Sequence, residues 1–509
     1  MSDSRLIIVS NRLPLTFEFA GDGVELKPSA GGLIAALAPI VKECDAAWVG
    51  ATGTTFHAAV EDVLTELAEQ QCLVPVYLTD RETRDFYNGF ANEILWPLFH
   101  DLQSRCNFLP EYWHCYKEVN EKFALAVDSI AGGGDVVWVH DYHLMLLADS
   151  FLQISTCRPR MAYFHHIPFP APNIFAKLPW RAEILRALLE FDLVVFQTHA
   201  DANNFLECVR SCLKDVPIRS VQQYYVVGGG ERDATVSSLP ISIDFESMSR
   251  DAQQASVLAL AAQFRRQAAG NRMVLGLDRL DYTKGVRYRL EAYRHLLRTS
   301  PELHGQVSFL QITVPSRESI PQYKRLKQEL ESLISEINDE FGTRAWTPIT
   351  YMYRHLSRTE LLAYYQAAEV AMVTPVKDGM NLVAKEYCAA RNDHFGVLIL
   401  SEFAGSASEL ADGAILINPY DIEGMAAALK QAFAMPVEER GIRMVKMRSV
   451  ISTSNVYDWY GAFRAALGFS MRHPAEAALL PSDYGPCGGE PRLIEPRGWH
   501  LRRCSTTPL

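Results

Sequence analysis

Short apolar runs separated by longer helix-like segments recur along the whole chain, and this alternation most limits what it can fold into. In the first half the runs are RLIIVS, AAWVG, DVVWVH, MAYFHH and DLVVFQ; in the second they are NRMVLGL, QVSFLQITV, ITYMY, EVAMVTP, GVLILS and AILINP. They are apolar on both faces, as strands must be when helices cover both sides of a parallel sheet. At 509 residues the chain exceeds what one hydrophobic core can hold. Both halves open alike, since LIIVSNRLP and MVLGLDRLD each run from a strand into an Arg-Leu loop. The expected fold class is therefore α/β, with two facing, doubly wound, Rossmann-like domains. The expected boundaries are 1–245 and 246–455, followed by a helix over 456–480 that packs back on the first domain and a flexible tail over 481–509. The break falls where SLPISIDFES leads into DAQQASVLALAAQFRRQ.

Apolar residues make up 48% of the chain and charged residues 21%, with a formal net charge of −11. No basic footprint for nucleic acid exists, so an anionic substrate has to be held by local Arg and Lys groups. No stretch approaches the ~18 uninterrupted apolar residues of a membrane span. The opening MSDSRLIIVSNRLP lacks the layout of a signal peptide. The ten cysteines are scattered, with no Cys-x-x-Cys, which fits a reduced, cytoplasmic protein.

Open parallel sheets bind ligands beyond the carboxyl ends of their strands, so the residues at those ends are informative. RLIIVS leads to Asn11 and Arg12; DVVWV to His140, Asp141, Tyr142 and His143; MAYF to His165, His166 and Ile-Pro-Phe-Pro. In the second half MVLGL leads to DRLDYTKG, QITV to Pro315, Ser316 and Arg317, and AMVTP to Lys377 and Asp378. Within DRLDYTKG, Arg279 and Lys284 are spaced so that both can reach one diphosphate, a forked contact beside a point charge. The alternative is that Asp278 and Asp281 pair with these cations on the surface. In TPVKDGMNLVAKEY, Gly379 lets the backbone approach a ligand, and the amides of Met380, Asn381 and Leu382 open a helix that favours an anion. Asp378 then suits a sugar hydroxyl, Glu386 a ribose, and Lys385 is read as solvated. An Asp N-cap before an ordinary helix is the other reading. The cluster His140, Asp141, His143, His165 and His166 could ligate zinc or iron. The two histidine pairs end different strands and no Asp-x-Asp occurs, so neutral donors to sugar hydroxyls, with no metal, are expected.

Taken in order, SNRLP, Ala-Gly-Gly at 30–32, FYNGFANEILWP, HDYH, HIPFP, DRLDYTKG, VPSR, DGMNLVAKEY and LSEFAGSASEL resemble the trehalose-6-phosphate synthases, retaining glycosyltransferases of family 20. The likeness runs from Leu6 to Tyr460. It implies the GT-B arrangement, with the active site in the interdomain cleft, an acceptor-side first domain and a donor-binding second one. It also implies no metal or other cofactor, and glucose transfer from UDP-glucose to glucose 6-phosphate with retention. The catalytic residues would be Arg279, Lys284, Asp141 and His166. The donor would meet Gly32, Asp378, Gly379, Met380, Asn381, Leu382, Val383 and Glu386, and the acceptor Arg12, Tyr87, Trp96 and Arg317. Small-molecule substrates, no nucleic-acid or membrane partner, and a homo-oligomer are expected. Ala51 stands where the family has a second aromatic in Trp-Gly-Trp, Lys377 where it has Arg, and Ser242 where PIGID has Gly. A glucosylglycerol-phosphate synthase using glycerol 3-phosphate is the runner-up; such sequences tend to lack the SNR start and the Arg of VPSR, whereas Arg12 and Arg317 are present here. A non-catalytic, sugar-phosphate-sensing relative is a third reading, against which Arg279, Lys284, Asp378 and Glu386 all stand.

Overall fold

The structure is a computed structural model that describes residues 5–20, 23–28, 31–44, 46–53, 73–228, 233–268, 270–317 and 320–470. Residues Met1–Ser470 form one compact unit. The expected tail over 481–509, and residues 471–480 of the expected last helix, lie outside the described residues.

All eleven apolar runs are strands, and they divide between two sheets. The first sheet has nine strands, in spatial order Leu73–Val76, Ala46–Ala51, Leu6–Arg12, Val136–His140, Arg160–Phe164, Leu193–Phe196, Ala234–Ser238, Tyr224–Val227 and Ile218–Val221. The seven from Leu73–Val76 to Ala234–Ser238 are parallel, and the last two return antiparallel. The second sheet is wholly parallel, in the order Ile349–Tyr353, Val307–Val314, Arg272–Arg279, Val370–Val373, Val397–Ser401 and Ile415–Ile417. Counted from its own first strand this is the 3-2-1-4-5-6 winding of a dinucleotide fold. Its winding reverses between Arg272–Arg279 and Val370–Val373, and that of the first sheet between Leu6–Arg12 and Val136–His140. Loops diverge at such a switch point and leave a crevice. Arg12, Asp141, Lys284 and Asp378 all lie at the carboxyl ends of these four strands.

Alternation along each strand feeds two cores. Ile7 and Val9 enter one cluster while Leu6 and Ile8 enter another on the opposite face. In the second sheet Val370 and Met372 face one side, Ala371 and Val373 the other. The edge strands Leu73–Val76 and Ile218–Val221, the inner strands Tyr224–Val227 and Ala234–Ser238, and the hairpin Leu15–Ala20 with Gly23–Pro28, are not apparent in the sequence. LVPV contains a proline and IRSV is partly polar, as edge positions allow. The chain leaves the first sheet after Ser238, and Ile243, Phe245 and Met248 already pack in the core of the second. A final helix, Val456–Ser470, places Val456, Trp459 and Phe463 against the first sheet, with the Phe463 ring stacked on Trp138 at 3.8 Å. Its Val456 amide donates to the Ile243 carbonyl at 3.0 Å, tying that helix to the crossover segment.

Candidate active site

The carboxyl ends of the two sheets meet. A Cβ on Gly379 would lie 2.2 Å from the His166 carbonyl oxygen, so only glycine permits this approach of HIPFP and DGMN. A Cβ on Gly32, at the start of helix α1 (Gly32–Glu43), would come within 3.0 Å of Leu382, the first residue of helix α2 (Leu382–Ala390). Trp96 and Tyr142 of the first domain reach Asp281 and Arg317 of the second at 3.4 and 3.3 Å.

FYNGFANEILWP forms most of a π-helix over Thr83–Leu95, a form concentrated at functional sites. Tyr87 and Trp96 are nine residues apart. On an α-helix that spacing turns about 180° and sends the rings to opposite faces. The i→i+5 bonding of a π-helix takes roughly four and a half residues per turn, so both rings fall on one face. The Trp96 amide donates to Ala91 in this pattern, and the Asn92 side chain braces the Tyr87 carbonyl at 2.6 Å. The Arg317 guanidinium lies 4.1 Å above the Trp96 ring, and that of Arg12 lies 5.2 Å from the Tyr87 ring. Arg12, Tyr87, Trp96 and Arg317 are therefore brought together. Burial raises the Tyr87 hydroxyl pKa, but Arg317, Arg12 and Arg279 outweigh it and bring it below the usual phenol value. His143 stacks on Tyr87 at 5.8 Å, and both its ring nitrogens are buried without a partner among the described residues. Burial, then Arg317 and Arg12, keep it neutral.

The Arg317 side chain is 6% exposed; it donates to Asp281 at 3.1 Å, to the Tyr323 hydroxyl at 2.7 Å and to the Tyr142 hydroxyl at 3.3 Å. Its φ of 51° is left-handed, as are those of Asp141 (75°) and Asn381 (78°). Such conformations cost about 1–3 kcal/mol in a non-glycine residue and persist only where the surroundings over-determine them.

On the wall formed by the second sheet Lys284 Nζ donates to Asp378 Oδ2 at 2.5 Å, beside Gly379. Asn381 Nδ2 donates to the same oxygen at 3.0 Å, and Asn381 Oδ1 caps helix α2 through the Ala384 amide at 3.3 Å. Asp378 Oδ1 accepts nothing from the described residues. Burial pushes the Asp378 pKa up, but Lys284 in particular overrides it and keeps the carboxylate ionised. Among the described residues the amides of Met380, Leu382 and Val383 donate to no protein acceptor. The cap of α2 is Asn381, so Asp378 is not the N-cap of an ordinary helix. Glu386 accepts from the Tyr365 hydroxyl at 2.7 Å, and burial raises its pKa against the opposing effects of Tyr365 and Arg358. Arg279 is exposed and has no ion pair among the described residues, yet its charge reaches Asp141, Asp281 and Tyr87.

One expectation is corrected and one alternative is set aside. Lys385 is not solvated: it is 1% exposed, pairs with Glu409 at 2.7 Å and donates to the Ile241 carbonyl at 2.9 Å. The PISID crossover needs that donor, because its carbonyl is buried between the domains. The acids of DRLDYTKG do not pair with Arg279 and Lys284 on the surface. Asp278 is buried against Arg289, and Asp281 against Arg317.

The histidines are separated by their partners. His165 meets the Tyr163 hydroxyl at 2.9 Å. Gln197 Oε1 accepts the Ile241 amide at 2.9 Å, and an amide can only donate, so Gln197 Nε2 faces His166 Nδ1 at 3.3 Å as a donor. His166 therefore carries its proton on Nε2, 3.0 Å from His140 Nδ1. Burial lowers its pKa to about 3, so the ring is neutral. Both ring nitrogens are engaged, and its carbonyl is the atom that packs on Gly379. Asp141 accepts the His166 amide at 3.3 Å. Its pKa is raised to about 6 by burial, against the Tyr142 and His166 amides, Arg317 and Arg279. Among the described residues no three His, Cys, Asp or Glu side chains are grouped to hold a metal ion. Ala51 is buried in the strand beside Arg12, and Ser242 is fully buried with its hydroxyl unpartnered among the described residues.

Tyr323, Gln197 and His100 belong to this site and were not singled out by sequence, while Tyr142 and Asp281 were named there without a binding role. His100, 3% exposed, donates from Nδ1 to the Trp96 carbonyl at 2.7 Å, and burial lowers its pKa to about 4. Only the second acid of DRLDYTKG and the Tyr of HDYH lay inside quoted motifs.

Paired Rossmann domains, with a cation and free helix amides on one wall and an Arg-Tyr-Trp pocket on the other, define a GT-B glycosyltransferase. A sequence model of glycosyltransferase family 20 matches residues 4–468. The chain belongs to glycosyltransferase family 20. It is 39% identical over 475 residues to a trehalose-6-phosphate synthase of Mycobacterium sp. (strain JLS), covering 91% of this chain and 96% of that protein. It is 38% identical over 488 residues to a bifunctional trehalose-6-phosphate synthase/phosphatase of Thermoproteus tenax, covering 93% of this chain and 65% of that longer protein. A crystal structure of a UDP-forming α,α-trehalose-phosphate synthase from Burkholderia xenovorans, in complex with glucose-6-phosphate, matches with a TM-score of 0.82 at 32% identity. That match covers 91% of this chain and 100% of the other.

Proposed function

We propose that the protein transfers glucose from UDP-glucose to glucose 6-phosphate with retention, forming α,α-trehalose 6-phosphate and UDP. The observation that carries this reading is the pairing of two seats across one cleft. Lys284, Gly379 and the unpartnered amides opening helix α2 suit a diphosphate, and Arg12, Tyr87, Trp96 and Arg317 suit a sugar phosphate opposite. The named relatives support the same substrates.

In the reaction the acceptor hydroxyl attacks the anomeric carbon on the face the diphosphate leaves. The C–O bond to the diphosphate breaks, and a leaving phosphate oxygen takes the hydroxyl proton. Arg279 and Lys284 stabilise the charge that develops on that oxygen, with the α2 amides, while Asp378 Oδ1 and Glu386 hold sugar and ribose hydroxyls. A preorganised donor of this kind supplies about 3 kcal/mol of transition-state stabilisation. Asp141 and His166 shape the floor where the two sugars meet. Arg12 and Arg317 are both present and stand together over Tyr87 and Trp96, which disfavours the glucosylglycerol-phosphate reading.

We propose further that no metal takes part, that the protein acts in the cytoplasm as a homo-oligomer, and that its functional domains are 1–245 and 246–455 with the helix from 456 to 470 closing on the first. Among the described residues no helix is long and apolar enough to cross a membrane. The test is a matrix of UDP-, GDP- and ADP-glucose against glucose 6-phosphate, glycerol 3-phosphate and glucose, with and without chelator, reading released nucleotide. Turnover confined to UDP-glucose with glucose 6-phosphate, unchanged by chelator, is expected; a preference for glycerol 3-phosphate overturns the reading.

A further inference from the structure

Asp281 sits where the two seats touch. Its Oδ1 accepts the Thr283 amide at 3.0 Å, the Thr283 hydroxyl at 2.9 Å and the Trp96 indole at 3.4 Å. Its Oδ2 accepts from Arg317 at 3.1 Å and from the Tyr323 hydroxyl at 3.2 Å. One oxygen thus holds the turn Tyr282–Lys284, and the other holds the arginine of the acceptor pocket. The Lys284 amide donates to the Asp281 carbonyl at 3.1 Å, so the turn that Asp281 caps is the one that delivers Lys284 to Asp378. The carboxylate is 2% exposed as a residue, too enclosed to meet either substrate.

The bond to Oδ2 also decides which edge of Arg317 is presented. Nη1 is committed to Asp281 and Tyr323, Nη2 gives one N–H to the Tyr142 hydroxyl at 3.3 Å, and the guanidinium rests on Trp96, leaving the second N–H of Nη2 beside Nε, which has no partner among the described residues. The Nε–Nη2 edge is therefore the fork left for a phosphate.

We propose that Asp281 is a positioning residue that couples the two substrate seats, its Oδ2 setting the phosphate-binding edge of Arg317 and its Oδ1 setting the turn that carries Lys284. This rests on the acceptor pocket assigned above. The two oxygens make the roles separable. Asp281→Asn keeps an oxygen for Thr283 and Trp96 but turns an N–H donor toward Arg317, so it loosens only the acceptor side. Asp281→Ala loosens both.

Steady-state kinetics on the full chain test this with Asp281→Asn, Asp281→Ala, Arg317→Ala and the Asp281→Asn/Arg317→Ala double variant. Loss of a charge-assisted bond predicts that Asp281→Asn raises the KM for glucose 6-phosphate about tenfold or more. Its KM for UDP-glucose stays within about twofold, whereas Asp281→Ala raises both. The double variant has the acceptor KM of Arg317→Ala alone, because Asp281 acts through that arginine. A merely structural carboxylate would instead raise both constants together in Asp281→Asn and add to Arg317→Ala, and either result overturns the proposal. If Arg317→Ala raises the acceptor KM and Asp281→Asn does not, the coupling fails while the pocket stands. If Arg317→Ala leaves the acceptor KM unchanged, the pocket assignment fails and takes the coupling with it. Should Asp281→Asn not fold, Tyr323→Phe carries the test: about a threefold rise in the acceptor KM alone is expected, and no rise overturns the proposal.

Discussion

Arg317 and Arg279 lie at the ends of neighbouring strands of one sheet and face the same cleft, yet they are held in opposite ways. The Arg317 side chain is 6% exposed, bonded to Asp281, Tyr323 and Tyr142 and stacked on Trp96. Arg279 is exposed and unpaired among the described residues. A free arginine side chain holds about 2 kcal/mol of rotamer entropy, which Arg317 has surrendered on folding and Arg279 keeps until it meets a ligand. On the proposed reading the acceptor phosphate enters a finished socket, whereas the donor diphosphate orders one of its own cations. Lys284 lies between these extremes, committed to Asp378 but close enough to turn its charge on a phosphate. The contrast fits the chemistry: the acceptor phosphate is unchanged by reaction, while the donor side must respond to charge that grows as the bond breaks.

The widest separation should come from the two donor-side cations. Arg279→Ala and Lys284→Ala should each lower kcat by about a thousandfold, roughly 3–4 kcal/mol. Their stabilities should differ. Arg279→Ala should melt like the parent, within about 0.5 kcal/mol, because it removes an exposed side chain. Lys284→Ala leaves the Asp378 carboxylate enclosed without its counter-charge, a loss of roughly 3 kcal/mol in thermal or denaturant unfolding. Near-normal turnover in either variant would remove it from the chemistry.

Arg317→Ala comes next. Its loss should raise the KM for glucose 6-phosphate, with kcat/KM for that substrate falling by roughly 2–3 kcal/mol and the donor KM little changed. A larger effect on the donor would reverse the comparison between the two walls.

The sheets were legible because burial on both faces leaves uninterrupted apolar runs, as in LIIV and VAMV. Polar strand ends then marked the cleft, since nothing in a core explains HDYH or DRLDYTKG directly after such runs. The supporting groups were hidden for particular reasons. The π-helix has no signature in a pattern read at helical period, although it sets Tyr87 and Trp96 on one face. Left-handed backbone at Asp141 and Arg317 is a property of tertiary restraint and not of residue type. Lys385 reads as an exposed helix lysine until the crossover carbonyl it satisfies is located. Gln197 lies in a plain FQT segment, and its part in fixing the His166 tautomer appears only when the Ile241 amide is found beside it.

Asp141 provides a smaller effect, read through pH. Burial raises its pKa from 3.8 to about 6, so the folded state holds this proton more tightly than the unfolded chain does. Ionising it therefore costs stability, beginning near pH 4 as the unfolded carboxyl titrates and complete above about pH 6. Asp141→Asn should melt roughly 2–4 °C higher than the parent at pH 8, a gain that shrinks on acidification and is gone below pH 4. A gain that grows on acidification would mean the carboxylate is stabilised in the fold, contrary to its placement.

The smallest effect belongs to Lys377, which stands where the family has arginine. It donates to Asp101 across the domain boundary at 2.5 Å, and with its side chain 23% exposed against 45% for Asp101 the pair is wet and screened. Such a pair contributes about 0–1 kcal/mol. Lys377→Ala should therefore lower the melting temperature only slightly, and the difference should fade in ~1 M salt, where charges interact over about 3 Å. The donor KM should move by less than about threefold, because the helix amides and Lys284 already face the diphosphate without it. Lys377→Arg restores a forked donor beside Asp378. If that change tightened UDP-glucose binding more than about tenfold, the donor wall would need a third cation to be complete, and the contrast between a finished acceptor socket and a responsive donor seat would be sharper than these contacts make it.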